Sequence, residues 1–371
     1  MNPPSHLNRR DLLKVAGAAA AGTTIGLSAM TRAQGERRKP ITIAGYKLDR
    51  TAALADGSVK VAGFEHSFEE TAIGDANTHV FGGPGTREVT EIGLHPFMLA
   101  YANENFRNYT LLPVFPIRAF RHKSIFIRTD RGINRPEDLK GRKIGTPGFS
   151  STSLTWIRGI MQHEYGVKPT DIEWVVSAKD SSADAAGKAS KQENMIPEGL
   201  NVSTGSAGKD ESELLVDGEV DALFHAAEPK AYIEGDPLVA RLFPDTRRTE
   251  KAYFKRTGIF PIMHAVAIRK DIATEHPELP LAVCQAYSQS KRKALITLQK
   301  LGWANISLPW VAQEIEETRA AMGDNYWPYG IKENKKALNA LFQYSHEQGL
   351  AASKLKVEEL FHPSTLDFVE A

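Results

Sequence analysis

The stretch "GRKIGTPGFSSTSLTWIRG", Gly141 to Gly159, decides how the rest of the chain is read. "GRKIGT" reads as a short strand, and Pro147-Gly148 as a turn. The following run, which carries Trp156 and Arg158, reads as a helix that stops at Gly166. Ser150, Ser151 and Thr152 fall where that helix begins. Hydroxyl side chains there satisfy the free N–H groups of a first turn. The same N–H groups and the helix dipole favour an anion. We read the cluster as a cap that also holds a carboxylate.

Working outward, strand-like and helix-like segments alternate. "KPITIAGYKLD" (39–49), "SVKVAGFEHSFEE" (58–70), "IEWVVSA" (172–178) and "FPIMHAVAIRKD" (260–271) read as strands. "YTLLPVFPIRAFRHKSIFIRTD" holds two apolar strand-like runs broken at Pro116. From Pro277 onward the chain is mostly helical. This order predicts an α/β fold with largely parallel sheets. The segment 179–211 is rich in small and charged residues and poor in large apolar ones, so it is expected to be an exposed, mobile insertion.

The 371 residues suffice for two or three units of ordinary domain size, with 42% hydrophobic and 25% charged residues. A formal charge of +1 argues against a nucleic-acid partner. Residues 1–33 read as an export signal. Arg9-Arg10 precede an Ala/Gly-rich apolar stretch that ends in Thr31-Arg32-Ala33, as in a twin-arginine signal. The stretch is too short and too rich in small residues for a membrane span. Removing it takes away four basic residues and one acidic residue, leaving 42 against 44 and a charge of −2. The expected location is the periplasm. Cys284 is the one cysteine, so no intrachain disulfide forms, and a buried thiol is expected.

At "LPVFPIRAFRHKSIFIR", "INRPEDLKGRKIGTPGFSSTSLTWIRGIMQHEYGV", "TGIFPIMHAVAIRKD" and "GDNYWPYGI" the sequence resembles the 4,5-dihydroxyphthalate decarboxylase family. "PEDLKGRKIG" is also typical of periplasmic binding proteins. The resemblance implies a two-lobed type II periplasmic-binding-protein fold with a cleft between the lobes. Lobe one would be 40–125 plus 258–371, and lobe two 126–257. The turn at Pro147 would then face the cleft. Two departures stand out: the export signal, and "REVTEIGLHPF", where the family has an acidic "E-F-D-x-S-E-x-S" phrase of which Glu91 remains.

Arg118 and Arg121 in "FPIRAFRH" suit bidentate binding of a carboxylate. On a strand, Arg118 and His122 would share one face and Arg121 the other. Surface ion pairing is the alternative role for both arginines, and a solvated helix face is that for Arg158. Trp156, Trp327 and Tyr329 are candidates for stacking on a planar ligand, with core packing as the alternative. His122, His264 and Glu91 are the candidate proton donors if the protein is an enzyme. No histidine spacing argues for a metal, and neither binding nor decarboxylation on a para-hydroxylated ring demands an organic cofactor. Nucleotide and serine-hydrolase motifs are absent. Three functions remain in view. One is a receptor for a small aromatic carboxylate that feeds an ABC-type permease. The second is a carboxy-lyase, and the third is a binding-fold sensor for a membrane receptor.

Overall fold

A computed structural model describes residues 40–300 and 306–370. The segment read as an export signal lies outside the described residues. Among them the strands are β1 (Ile41–Gly45), β2 (His66–Glu70), β3 (Val89–Gly93), β4 (Tyr109–Leu112), β5 (Ile125–Arg128), β6 (Lys143–Thr146), β7 (Glu173–Val176), β8 (Asn201–Thr204), β9 (Ala222–Phe224), β10 (Val239–Arg241) and β11 (His264–Arg269). They form two sheets, ordered β2-β1-β3-β11-β4 and β10-β5-β9-β6-β7-β8.

Both sheets are mixed, which corrects the expectation of largely parallel ones. β1 pairs parallel with β2 and β3, and β6 pairs parallel with β7 and β9. β11 runs antiparallel between β3 and β4, and β5 antiparallel between β9 and β10. The reversed strands are those that arrive from the other sheet. They enter without a helical crossover inside their own sheet, so nothing imposes the parallel direction.

The run 58–70 is a strand only from His66. Gly63 takes a left-handed φ of 81°, and Val59, Val61 and Phe64 pack into the core as irregular chain. The stretch after β4 also departs from a strand. Prolines at 113 and 116 remove ladder donors, Arg118 makes an isolated bridge with Ile262, and His122 opens a short 3₁₀ turn. The face-sharing expected of Arg118 and His122 therefore does not apply.

In the second sheet, alternate residues feed two cores. Ile125, Ile127, Ile144 and Trp174 join one, while Phe126, Val175 and Leu223 join the other. That is the period-two pattern of a sheet covered on both faces. The segment 179–211 folds against this sheet. It carries the helix Ala183–Ala186 and the edge strand β8, and Glu211 behind it is fully buried.

The helix Thr152–Tyr165 follows β6 but packs partly against the first sheet's half. Ser151 is its N-cap and accepts from the Leu154 N–H at 3.3 Å; Gly166, in the left-handed region at φ 66°, ends it. Trp156 and Ile160 lie in the first half's core, and the Trp156 indole donates to the Ile262 carbonyl at 2.9 Å. Gly159 faces the Tyr344 ring of the helix Ile331–Glu347 so closely that a Cβ would overlap it. Gly159→Val should lower stability by roughly 2 kcal/mol or more, in the range of overpacked cores. Chemical denaturation of both proteins measures the difference, and equal stability would refute this packing constraint.

Candidate functional site

A cavity of about 260 Å³ lies between the two sheets. Its walls come from the carboxyl ends of β1, β3, β6, β7 and β9 and from the amino end of antiparallel β11. Strand ends of this kind form the binding crevice of open α/β sheets. Ser151, Thr152 and Ser153 bring the amino end of the Thr152–Tyr165 helix to the wall. Its first N–H groups have no partner within the helix. The Thr152 hydroxyl accepts from the His95 N–H at 3.1 Å. Ser150 turns inward and accepts from the Met195 N–H at 2.9 Å. Of the three cap residues, Ser151 and Thr152 line the cavity and Ser150 supports the turn from behind.

Arg121 reaches the same wall. Its guanidinium donates to the Ala226 carbonyl at 3.1 Å and lies 2.9 Å from the Met263 sulfur. No carboxylate pairs with it among the described residues. Burial pulls its pKa down to about 10, against the favourable fields of Glu228 and Glu250, so it remains a cation at neutral pH. A buried cation resting on a thioether is poorly compensated, and an anion in the cavity would repair that.

His264 starts β11 and faces the cavity. Its Nδ1 lies 2.6 Å from Glu91 Oε1. Glu91 is buried on β3, and its other oxygen accepts from the Tyr46 N–H at 3.1 Å. In the β3–β11 register Glu91 opposes Val266, so His264 is its diagonal neighbour on the same face. Gly45 on β1 leaves room for the carboxylate, since a Cβ there would come within 2.9 Å of Glu91 Oε2. The Glu91 carboxylate thus orients an imidazole at the cavity wall, the arrangement of a positioned acid or base.

Across the cavity stands a second imidazole, His225, one residue past β9. Its Nε2 lies 3.2 Å from Asp180 and 3.4 Å from Glu211. Burial alone would lower its pKa, but the two carboxylates outweigh that and raise it. Sequence reading missed Asp180, Glu211 and His225, and with them Tyr46. Asp180 and Glu211 belong to the segment set aside as an insertion. The legible sign was His225 itself, a histidine at the carboxyl end of a strand.

Six other expected site residues lie elsewhere. Arg118 sits between the Phe115 and Phe260 rings and lines a separate cavity of about 210 Å³. Trp156 is core. Arg158 is fully buried and donates to Gln348 Oε1 at 2.9 Å and to the Phe149 carbonyl. The Trp327 indole donates to the Phe115 carbonyl at 3.0 Å, and its ring carries the Arg50 guanidinium. Tyr329 is buried beneath the Lys291 ammonium. His122 is buried among Tyr253, Phe243 and Tyr165, with no hydrogen-bond partner for either ring nitrogen among the described residues. The physical reason is common to them. Each has a large apolar or stacking surface that the core claims first.

The fold is that of a type II periplasmic binding protein. It is similar to the periplasmic aliphatic sulphonate binding protein SsuA from Escherichia coli, with a TM-score of 0.52 at 15% identity over 88% of this chain and 99% of that one. A periplasmic sulfonate-binding SsuA from Methylobacillus flagellatus KT gives 0.52 at 14%, covering 89% and 93%. Residues 111–191 match the family described as NMT1/THI5 like. The 4,5-dihydroxyphthalate decarboxylase of Comamonas testosteroni is 34% identical over 329 residues, 88% of this chain and 97% of the relative. The protein of that name from Pseudomonas putida is 29% identical over 58% of this chain and 81% of its own length. The chain belongs to the 4,5-dihydroxyphthalate decarboxylase family. Residues 6–26 match the twin-arginine translocation signal, which directs export to the periplasm. No helix among the described residues is long and apolar enough to cross a membrane.

His95 and His122 bear on acid stability. Burial pushes both down to about 4. A histidine held neutral in the fold and free to protonate near 6.5 when unfolded stabilises the fold above 6.5. That stability is lost as pH falls from 6.5 toward 4, with about 2 kcal/mol gone per histidine at pH 5. The melting temperature should therefore drop between pH 7 and pH 5, and His122→Phe should shrink the drop. An unchanged pH dependence in the variant would show that His122 titrates normally.

Proposed function

We propose that this protein is a periplasmic binding protein for a small aromatic carboxylate, which it delivers to an ABC-type permease. The observation that carries the proposal is Arg121, a buried guanidinium without a carboxylate partner, beside the free amino end of the Thr152–Tyr165 helix. Together they offer a fixed cation and oriented N–H donors to one anion. The apolar walls contributed by Ile73, Ile117 and Met263 suit a ring. Residues 40–125 plus 258–371 would act as one lobe and 126–257 as the other, closing around the ligand. The export signal and the fold favour this role.

A second reading rests on His264 and Glu91 together with the family. In a carboxy-lyase, an imidazolium at His264 would give its proton to the ring carbon that bears the leaving carboxylate. The C–C bond would then break, its electron pair would return to the ring, and CO₂ would leave. A solvent proton would restore the imidazolium. Arg121 and the helix N-terminus would hold a second carboxylate in place.

Calorimetry of protein purified from the periplasmic fraction separates the two, with phthalate, 4,5-dihydroxyphthalate and benzoate as probes and CO₂ followed in the same cell. The expected result is saturable binding without CO₂, weakened about 100-fold in Arg121→Met, a loss of roughly 3 kcal/mol. Steady CO₂ release that falls 100-fold or more in His264→Gln would establish the enzyme instead. Binding undisturbed by Arg121→Met would overturn the assignment of this cavity.

A further inference from the structure

Asp180, Glu211 and His225 come from three separate segments. Asp180 lies beyond β7, Glu211 starts the helix Glu211–Val216, and His225 follows β9. One ligand atom from each lies within 4.8 Å of the others. His225 Nε2 is 3.2 Å from Asp180 Oδ1 and 3.4 Å from Glu211 Oε1. Donors at about 2.1 Å around a tetrahedral ion stand about 3.4 Å apart, so the two measured separations match the edge of such a site. Glu211 is wholly buried and His225 nearly so, while Asp180 and His225 open onto the cavity.

The charges are unbalanced. Among the described residues no lysine or arginine pairs with either carboxylate; the donors to Glu211 are Ser177 and the hydroxyl and N–H of Ser181, and those to Asp180 are groups of Ser182 and His225. His225 Nδ1 lies 3.0 Å from the Ala227 carbonyl and 3.2 Å from the Ala227 N–H. The Ala227 backbone thereby fixes the ring and leaves Nε2 aimed between the two carboxylates, the kind of contact that orients a metal-bound histidine. Two carboxylates and one imidazole meet across little more than 3 Å, so even with a proton on Nε2 the cluster keeps a net negative charge that a cation would offset.

We propose that Asp180, Glu211 and His225 form a site for a zinc-class divalent cation. One imidazole and two carboxylates suit zinc, manganese or ferrous iron rather than an ion that prefers all-oxygen shells. Three protein donors leave one position open, and the exposed side of the cluster places that position in the cavity. The cation site stands independently of the carboxylate-binding reading. Where both hold, the open position meets a ligand oxygen near Arg121 and across from His264.

The full chain, stripped with EDTA and dialysed, should be titrated with Zn²⁺ by calorimetry and with Co²⁺ by visible absorption. One ion per chain and the strong d–d bands of low-coordinate cobalt are expected. Asp180→Asn and His225→Gln should each weaken Zn²⁺ binding at least tenfold and abolish the cobalt bands. Asp180 lies at the rim, so its variant keeps the fold even if substitution at buried Glu211 or His225 does not. Failure of the stripped wild type to bind Zn²⁺ would overturn the proposal and leave a proton on Nε2 as the positive charge. Zn²⁺ bound as tightly by Asp180→Asn would place the ion elsewhere and overturn it equally. Benzoate titration of the same stripped protein reports on the carboxylate site separately.

Discussion

Everything at the cavity depends on how the Thr152–Tyr165 helix is gripped. Its amino end must stay open to the cavity while its body is immobile. The body is held from both sides of the molecule. The Trp156 indole bonds the Ile262 carbonyl, Arg158 and the Thr155 carbonyl share the Gln348 amide, and Gly159 lets Tyr344 close against the backbone. The amino end is steadied by His95, which lies 2.7 Å from the Ser150 carbonyl and 2.8 Å from the Ser345 hydroxyl. A dipole aimed by this many fixed contacts needs little reorganisation when an anion arrives, which is the physical basis of preorganised binding.

The charges of the cavity are arranged by wall. Arg121 and the helix N-terminus make one side positive. Asp180, Glu211 and His225 stand beside them at the ends of the neighbouring strands of the second sheet and add negative charge, with Asp180 and His225 reaching the cavity. His264, oriented by Glu91, stands on the first sheet's wall. Such a layout distinguishes the two ends of a ligand, so that an anionic group and an oxygen-rich edge each meet their complement. A receptor uses that asymmetry for orientation. A carboxy-lyase would use it to set a proton donor against one carbon of a ring. The same two sheets serve both ends, because a binding cleft and an active site pose the same positioning problem.

Much of this was legible in particular residues. The Ser151 cap and the Gly166 stop bounded the helix correctly, since both are local backbone signals. Cys284 is buried, as its apolar neighbours implied. His264 and Glu91 were suggested by phrases around them, but their contact is a cross-strand diagonal between β3 and β11, 173 residues apart in sequence. Local patterns cannot express such a register. The segment 179–211 hides its share of the site for a related reason. Its composition reads as solvated chain and most of it is exposed, yet β8 pairs with β7, and the cavity takes a few of the polar side chains that it supplies.

By itself the sequence determined the α/β character, the helix that begins at Thr152, the family and the export route. Each of these rests on signals carried within a few consecutive residues. Only the tertiary structure decided which polar groups meet. It sent Arg121 to the cavity and Arg118, three residues earlier, to a different one, because the prolines at 113 and 116 break the strand that would have fixed their directions. It drew Trp156, Arg158 and Trp327 into packing, where large surfaces are worth most when buried. It also brought Asp180, Glu211 and His225 together. Their joint chemistry depends on separations of a few ångströms, and chain order does not encode such separations until the sheets have formed.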